Sequence, residues 1–172
     1  RRGYDTLLKL AVETQDTLFV SVGRLGMGEN VSDEMIRWRQ QLVAQDRLFE
    51  QDLPFLPENS FVDDLFNSTR FIILPYRHWY GLSGSLFQAI SYGCPVLVPD
   101  VGNMAATVRR HDIGLTYRHL DLNQLRSQLD VMRRAPARFA ASASKTAFSS
   151  TRREKRSALS LNRAGARRMT SS

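Results

Sequence analysis

Apolar positions recur along this chain with two alternating periods. Leu7, Leu8, Ala11 and Val12 share one face of a helix, and Thr17–Val22 then reads as a strand ending at Gly23. Ser32 is placed to cap a second helix, with Asp33 and Glu34 in its first turn and Met35, Ile36, Leu42 and Val43 facing inward. A weak short strand follows near Arg47–Glu50, and Asn59 or Ser60 caps a helix carrying Phe61, Val62, Leu65 and Phe66. The sharpest strand signal is Arg70–Leu74, stopped by Pro75. Beyond a loop, Ser85–Tyr92 reads as a helix closed by Gly93, and Pro95–Val98 as a strand apolar on both faces. Met104, Ala105 and Val108 mark a further helix and Ile113–Tyr117 a further strand. Asp121 caps a last helix with Leu122, Leu125, Leu129 and Met132 along one face.

Strands alternating with helices in this way predict an α/β, Rossmann-like fold: a mostly parallel sheet with helices on both faces. Such sheets take ligands beyond the carboxyl ends of their strands, so the loops there are the ones to read for chemistry. A length of 172 residues suits one domain with a real core. No apolar run approaches the roughly 20 residues that span a bilayer.

The net charge of +7 is unevenly placed. Nine of the 24 Lys and Arg residues and one of the 17 acids fall in 138–172, leaving residues 1–137 nearly neutral, with 15 basic and 16 acidic side chains. The expected organisation is therefore a folded domain over 1–137 and a basic Ala/Ser/Arg-rich tail over 138–172 that reads as disordered. A basic nucleic-acid surface is not expected on the folded part, whereas the tail offers a contact for an anionic membrane surface. Cys94, the one cysteine, excludes an intrachain disulfide, fits a reducing compartment and reads as a buried thiol between Gly93 and Pro95. His78, His111 and His119 are not at metal-ligand spacing, so no metal or cofactor is expected. Asp63-Asp64 reads as first-turn charge on a helix.

The chemistry concentrates in the loop after Leu74. Ser83-Gly84-Ser85 opens a helix, whose free N–H groups and dipole favour an anion, and Gly84 leaves room for a phosphate against the backbone. The same residues also read as a plain serine N-cap beside a glycine. His78 reads either as a solvated loop histidine or as a site residue, and Trp79 and Tyr80 either stack on a sugar or pack the loop.

Leu74-Pro75-Tyr76, Ser83-Gly84-Ser85 and Ala89-Ile90-Ser91-Tyr92-Gly93-Cys94-Pro95-Val96 together resemble the donor-site signature of the retaining family-4 glycosyltransferases, within their bacterial Ser-Gly subgroup. Ile113-Gly114-Leu115 is similar to that family's Gly-Ile-Gly-Leu element, and Arg2-Gly3-Tyr4-Asp5-Thr6-Leu7-Leu8 to its Lys-Gly-x-Asp-x-Leu-Leu segment. The likeness covers roughly Arg1–Met132. It implies one half of a GT-B fold, a cytoplasmic location that extends to the inner membrane face, and the donor-binding domain of an enzyme of bacterial polysaccharide biosynthesis. Such an enzyme transfers a hexose from a nucleotide diphosphate sugar to a glycan or lipid-linked acceptor. It further implies that Ser83, Gly84, Ser85 and Arg2 meet the diphosphate, that Gln88 meets the ribose, and that backbone groups of Phe55, Leu56 and Pro57 read the base. Tyr80 and His78 stand where sugar contacts are expected.

This sequence departs from the family pattern in two ways. Where the family often carries two glutamates eight positions apart, it has Tyr80 and Gln88, and Arg70–Pro99 holds no acid at all. The family strand before the Lys-Gly segment and its acceptor-binding domain are not in these 172 residues, so transfer by this chain alone is not expected. A degenerate nucleotide-sugar-binding module and a basic-tail interaction protein stand as the alternatives.

Overall fold

A computed structural model describes residues 3–23, 31–53, 60–135 and 137–139. Six helices alternate with five strands: α1 (Tyr4–Glu13), β1 (Phe19–Val22), α2 (Asp33–Ala44), β2 (Leu48–Gln51), α3 (Ser60–Ser68), β3 (Ile72–Ile73), α4 (Gly84–Ser91), β4 (Val96–Pro99), α5 (Gly102–His111), β5 (Gly114–Tyr117) and α6 (Leu122–Arg134). Every ladder is parallel. β1 pairs with β2, with Phe19 opposite Leu48, and β3, β4 and β5 form a second set in that order. The fold is α/β with helices on both faces, as the alternating periods require.

Side-chain alternation along β4 separates the two faces. Val96 and Val98 join Leu74 under α3, α4 and α5, together with Val62, Leu86, Ala89 and Met104. Leu97, between them, points to the opposite core, where Leu8, Leu10 and Ala11 of α1, Met35 and Leu42 of α2, and Leu125, Leu129 and Met132 of α6 meet Phe19, Leu48 and Tyr117. All four residues of β4 are buried, which is why that stretch reads as continuously apolar. Phe139, two residues past the expected domain boundary at Ala137, is also buried in the second core.

Three capping side chains set helix starts. Ser32 accepts from the Met35 N–H, Ser83 from the Leu86 N–H (3.2 Å each), and Asp121 from the Gln124 N–H at 2.8 Å. Two expectations for α2 do not hold: Ile36 and Val43 are 43% and 48% exposed rather than inward. α2 covers only the two-stranded β1–β2 pair, so a narrow stripe through Met35 and Leu42 suffices. α1 shows the converse, since it packs against both α2 and α6 and buries Leu10 beyond the face read from sequence. The Arg70–Leu74 strand is present but its ladder spans only Ile72–Ile73, because β3 pairs on one edge alone.

Cross-over handedness orders the sheet. α2 lies on one face, and α4 and α5 on the other. Right-handed β–α–β connections therefore run β1 to β2 in one direction and β3 to β4 to β5 in the opposite one. The chain reverses between β1 and β3, and α1, which packs between α2 and α6, lies over that point. No ladder joins β1 to β3.

Candidate functional site

The reversal between β1 and β3 is a topological switch point, the place where open parallel sheets take ligands. A cavity of about 780 Å³ opens there. Its walls are the first turns of α1 and α2 (Asp5, Thr6, Lys9; Ser32, Met35, Trp38), the residues leaving β3 (Pro75, Tyr76, Arg77) and those leaving β5 (Tyr117, His119 to Leu122). Lys9, Arg77 and His119 bring donors to it, and Arg77 pairs with Asp5. Arg77 Nε and His119 Nδ1 are both buried without a hydrogen-bond partner among the described residues. Orphaned buried nitrogens are costly unless a ligand or water satisfies them, so this wall suits an acceptor-rich guest. The Tyr117 phenol beside it is held neutral, its pKa pushed far up by burial despite the opposing pull of Arg77.

The loop from Pro75 to Ser83 leads from this cavity to the start of α4, and it is pinned along its length. Gly3, with φ of 71°, lies so close to Pro75 that a β-carbon there would collide with the Pro75 carbonyl. Gly102, with φ of 65°, abuts the Tyr80 backbone in the same way, and the Tyr80 carbonyl accepts from the Asn103 N–H at 2.9 Å. Trp79 Nε1 donates to the Leu82 carbonyl at 3.2 Å. The His78 ring meets His119 edge-on, with centroids 6.5 Å apart, tying the loop to the cavity wall. Tyr80 is 63% exposed, its side chain displayed while its backbone is fixed.

At the far end of the loop, Ser83 is the buried N-cap of α4. Its Oγ is committed as acceptor to Leu86, which leaves only its hydroxyl proton to offer a ligand. The amides of Gly84 and Ser85 are helix-start N–H groups without intrahelical acceptors. Gly84 is exposed, and a β-carbon on it would have no atom within 4 Å. The fold thus sets no steric demand for glycine at this position, and the space above it is free for a guest. Gln88 is half-buried and lies one turn along from Gly84, on the same side of the helix. The plain N-cap reading of Ser83 is realised, and it coexists with open amides beside it.

The structure thus brings Ser83, Gly84, Ser85 and Gln88 together on α4, with Tyr80 and His78 on the loop before them. Arg2, Phe55, Leu56 and Pro57 lie outside the described residues. Sequence reasoning missed Arg77, His119 and Gly102; the first two stand directly after strands, where the carboxyl-end rule pointed. Cys94 is buried and donates to the Phe66 carbonyl at 3.2 Å, with burial pushing its thiol pKa up, as an inert packed thiol would be. Asp63, in the first turn of α3, accepts from the Tyr92 hydroxyl at 2.5 Å.

No protein-family model and no curated protein sequence matches the chain. Solved structures do. Sucrose-phosphate synthase from Thermosynechococcus elongatus matches at TM-score 0.71 and 16% identity, over 100% of this chain and 43% of that one. WaaG, a glycosyltransferase involved in lipopolysaccharide biosynthesis, matches at 0.66 and 17%, over 86% of this chain and 39% of its own. A glycosyltransferase from Rickettsia africae ESF-5 matches at 0.70 and 13%, over 86% and 40%. The chain thus shares its fold with a portion of each, consistent with one Rossmann-like half of a GT-B fold, and spans about two fifths of their length.

Proposed function

We propose that this chain is the nucleotide-sugar-binding half of a glycosyltransferase, moving a hexose from a nucleotide diphosphate sugar to a glycan or lipid-linked acceptor. The observation that carries the reading is the start of α4: two helix-start amides beside an exposed, uncrowded Gly84, at the carboxyl edge of a parallel sheet. The likeness of fold to solved glycosyltransferases supports it. In this reading the Gly84 and Ser85 amides and the Ser83 hydroxyl meet the diphosphate, and Gln88 meets the ribose. Arg2 adds charge to the phosphate, and the backbone of Phe55, Leu56 and Pro57 faces the base. Tyr80 and His78 face the sugar. The amides and dipole stabilise the departing diphosphate as its charge develops, with no metal required for that step.

Substituting Gly84 tests the proposal cleanly, because the space around it leaves the fold indifferent to a side chain. Titration calorimetry of UDP, GDP and ADP into Gly84→Val should show affinity reduced at least ~10-fold for whichever diphosphate the native chain binds, about 1.4 kcal/mol. Its melting temperature should match the native one. Undiminished affinity in the folded variant would move the phosphate site elsewhere. A nucleotide-holding module without transfer chemistry is the second reading. It is favoured by Tyr80 and Gln88 standing where carboxylates are expected, and full diphosphate affinity with no sugar transfer in a complete parent protein would select it.

A further inference from the structure

The two sets of strands present facing, unpaired edges. In β1 the N–H groups of Phe19 and Gly23 bond to Arg47 and Gln51 of the β2 side, so those of Val20 and Val22 point the other way. In β3 the N–H groups of Ile72 and Leu74 bond to Pro95 and Leu97, so those of Phe71 and Ile73 point away from β4. Handedness places these two free edges on either side of the reversal beneath α1. One core runs across both sets, since Phe19 and Leu48 share a cluster with Leu97 and Tyr117. The walls are apolar, and Val20 is 41% exposed at the edge.

We propose that this slot is a receptor for a short apolar β-strand donated by another polypeptide, bound parallel and paired on both edges at once. The parallel register on either side fixes the direction of the occupant. Burial between two helical layers fixes its chemistry, a run of valine, isoleucine or leucine. The chain's own undescribed stretches do not fit: 140–172 contains neither valine nor isoleucine, and 24–30 and 54–59 hold Gly or Pro with acids and no β-branched residue. A second copy has its apolar strands already committed to its own ladders.

The probe is a synthetic peptide with a run of about five valine and isoleucine residues flanked by lysines, and a control with alternate positions replaced by proline. Added to the full 172-residue chain, the apolar peptide should form a one-to-one complex by native mass spectrometry. It should slow amide exchange at Val20, Val22, Phe71 and Ile73 at least ~10-fold, with little change at Ile72 and Leu74. Val20→Pro and Val22→Pro, which remove edge donors not used by β2, should abolish the effect while keeping the native circular dichroism. Equal protection by the proline control would overturn the proposal. So would protection of the same four amides on self-association alone.

Discussion

Gly3 and Ser83 illustrate how single residues divide between holding the site and forming it. Gly3 has both a left-handed φ and a carbonyl where its side chain would be, so Gly3→Ala should destabilise the fold by about 2–4 kcal/mol. A chemical-denaturation midpoint well below the native one checks this; an unchanged midpoint would show that Pro75 is free to move. Ser83→Ala removes one cap, about 1 kcal/mol, and should leave nucleotide affinity within about twofold, since the Gly84 and Ser85 amides remain. A large affinity loss without destabilisation would instead give the Ser83 hydroxyl a direct ligand role. Of these roles, the sequence makes Ser83's legible, because a serine before a helical apolar period is a cap by its chemistry. The demand at Gly3 is not legible, since it arises from Pro75, some seventy positions away, and from a packing distance no local pattern encodes.

At the scale of elements, existence was readable and depth was not. Each helix and strand stands where the alternating periods put it, because Ser32, Ser83, Asp121 and Gly93 mark ends by local chemistry. How wide a face each helix buries depends on its neighbours. α2 leaves Ile36 and Val43 exposed over two strands, while α1 buries Leu10 between two helices. β3 carries the strongest strand signal and the shortest ladder, since pairing needs a partner on each side as well as propensity. The site divides in the same way. The start of α4 was visible as a local motif, whereas Arg77 and His119 meet only when the residues leaving β3 and β5 converge on one cavity.

For the whole molecule, alkaline pH is the informative perturbation. Cys94, Tyr4 and Tyr117 all have folded-state pKa values raised, chiefly by burial, with Glu50 adding to the effect at Tyr4. Each stays neutral in the fold at a pH where the unfolded chain has begun to ionise. Their contribution is therefore complete below the unfolded pKa and is lost as pH rises through the folded one. Stability should decline first above about pH 9, where an ordinary thiol ionises, and more steeply near 10, where free phenols do. Urea midpoints measured across that range should fall, and Cys94→Ala should flatten the first limb alone; a first limb unchanged in that variant would assign it to another group.

The pinned loop between β3 and α4 has an optical consequence. The chain has two tryptophans, and both stand at the switch point: Trp38 in the cavity wall and Trp79 in the loop, its indole N–H held by Leu82. Indole emission depends on the polarity and hydrogen bonding around the ring, and here no third indole dilutes the signal. The native fluorophores thus report from the two sides of the candidate site, and the single variants Trp38→Phe and Trp79→Phe separate what happens in the cavity from what happens at the loop, without any attached dye.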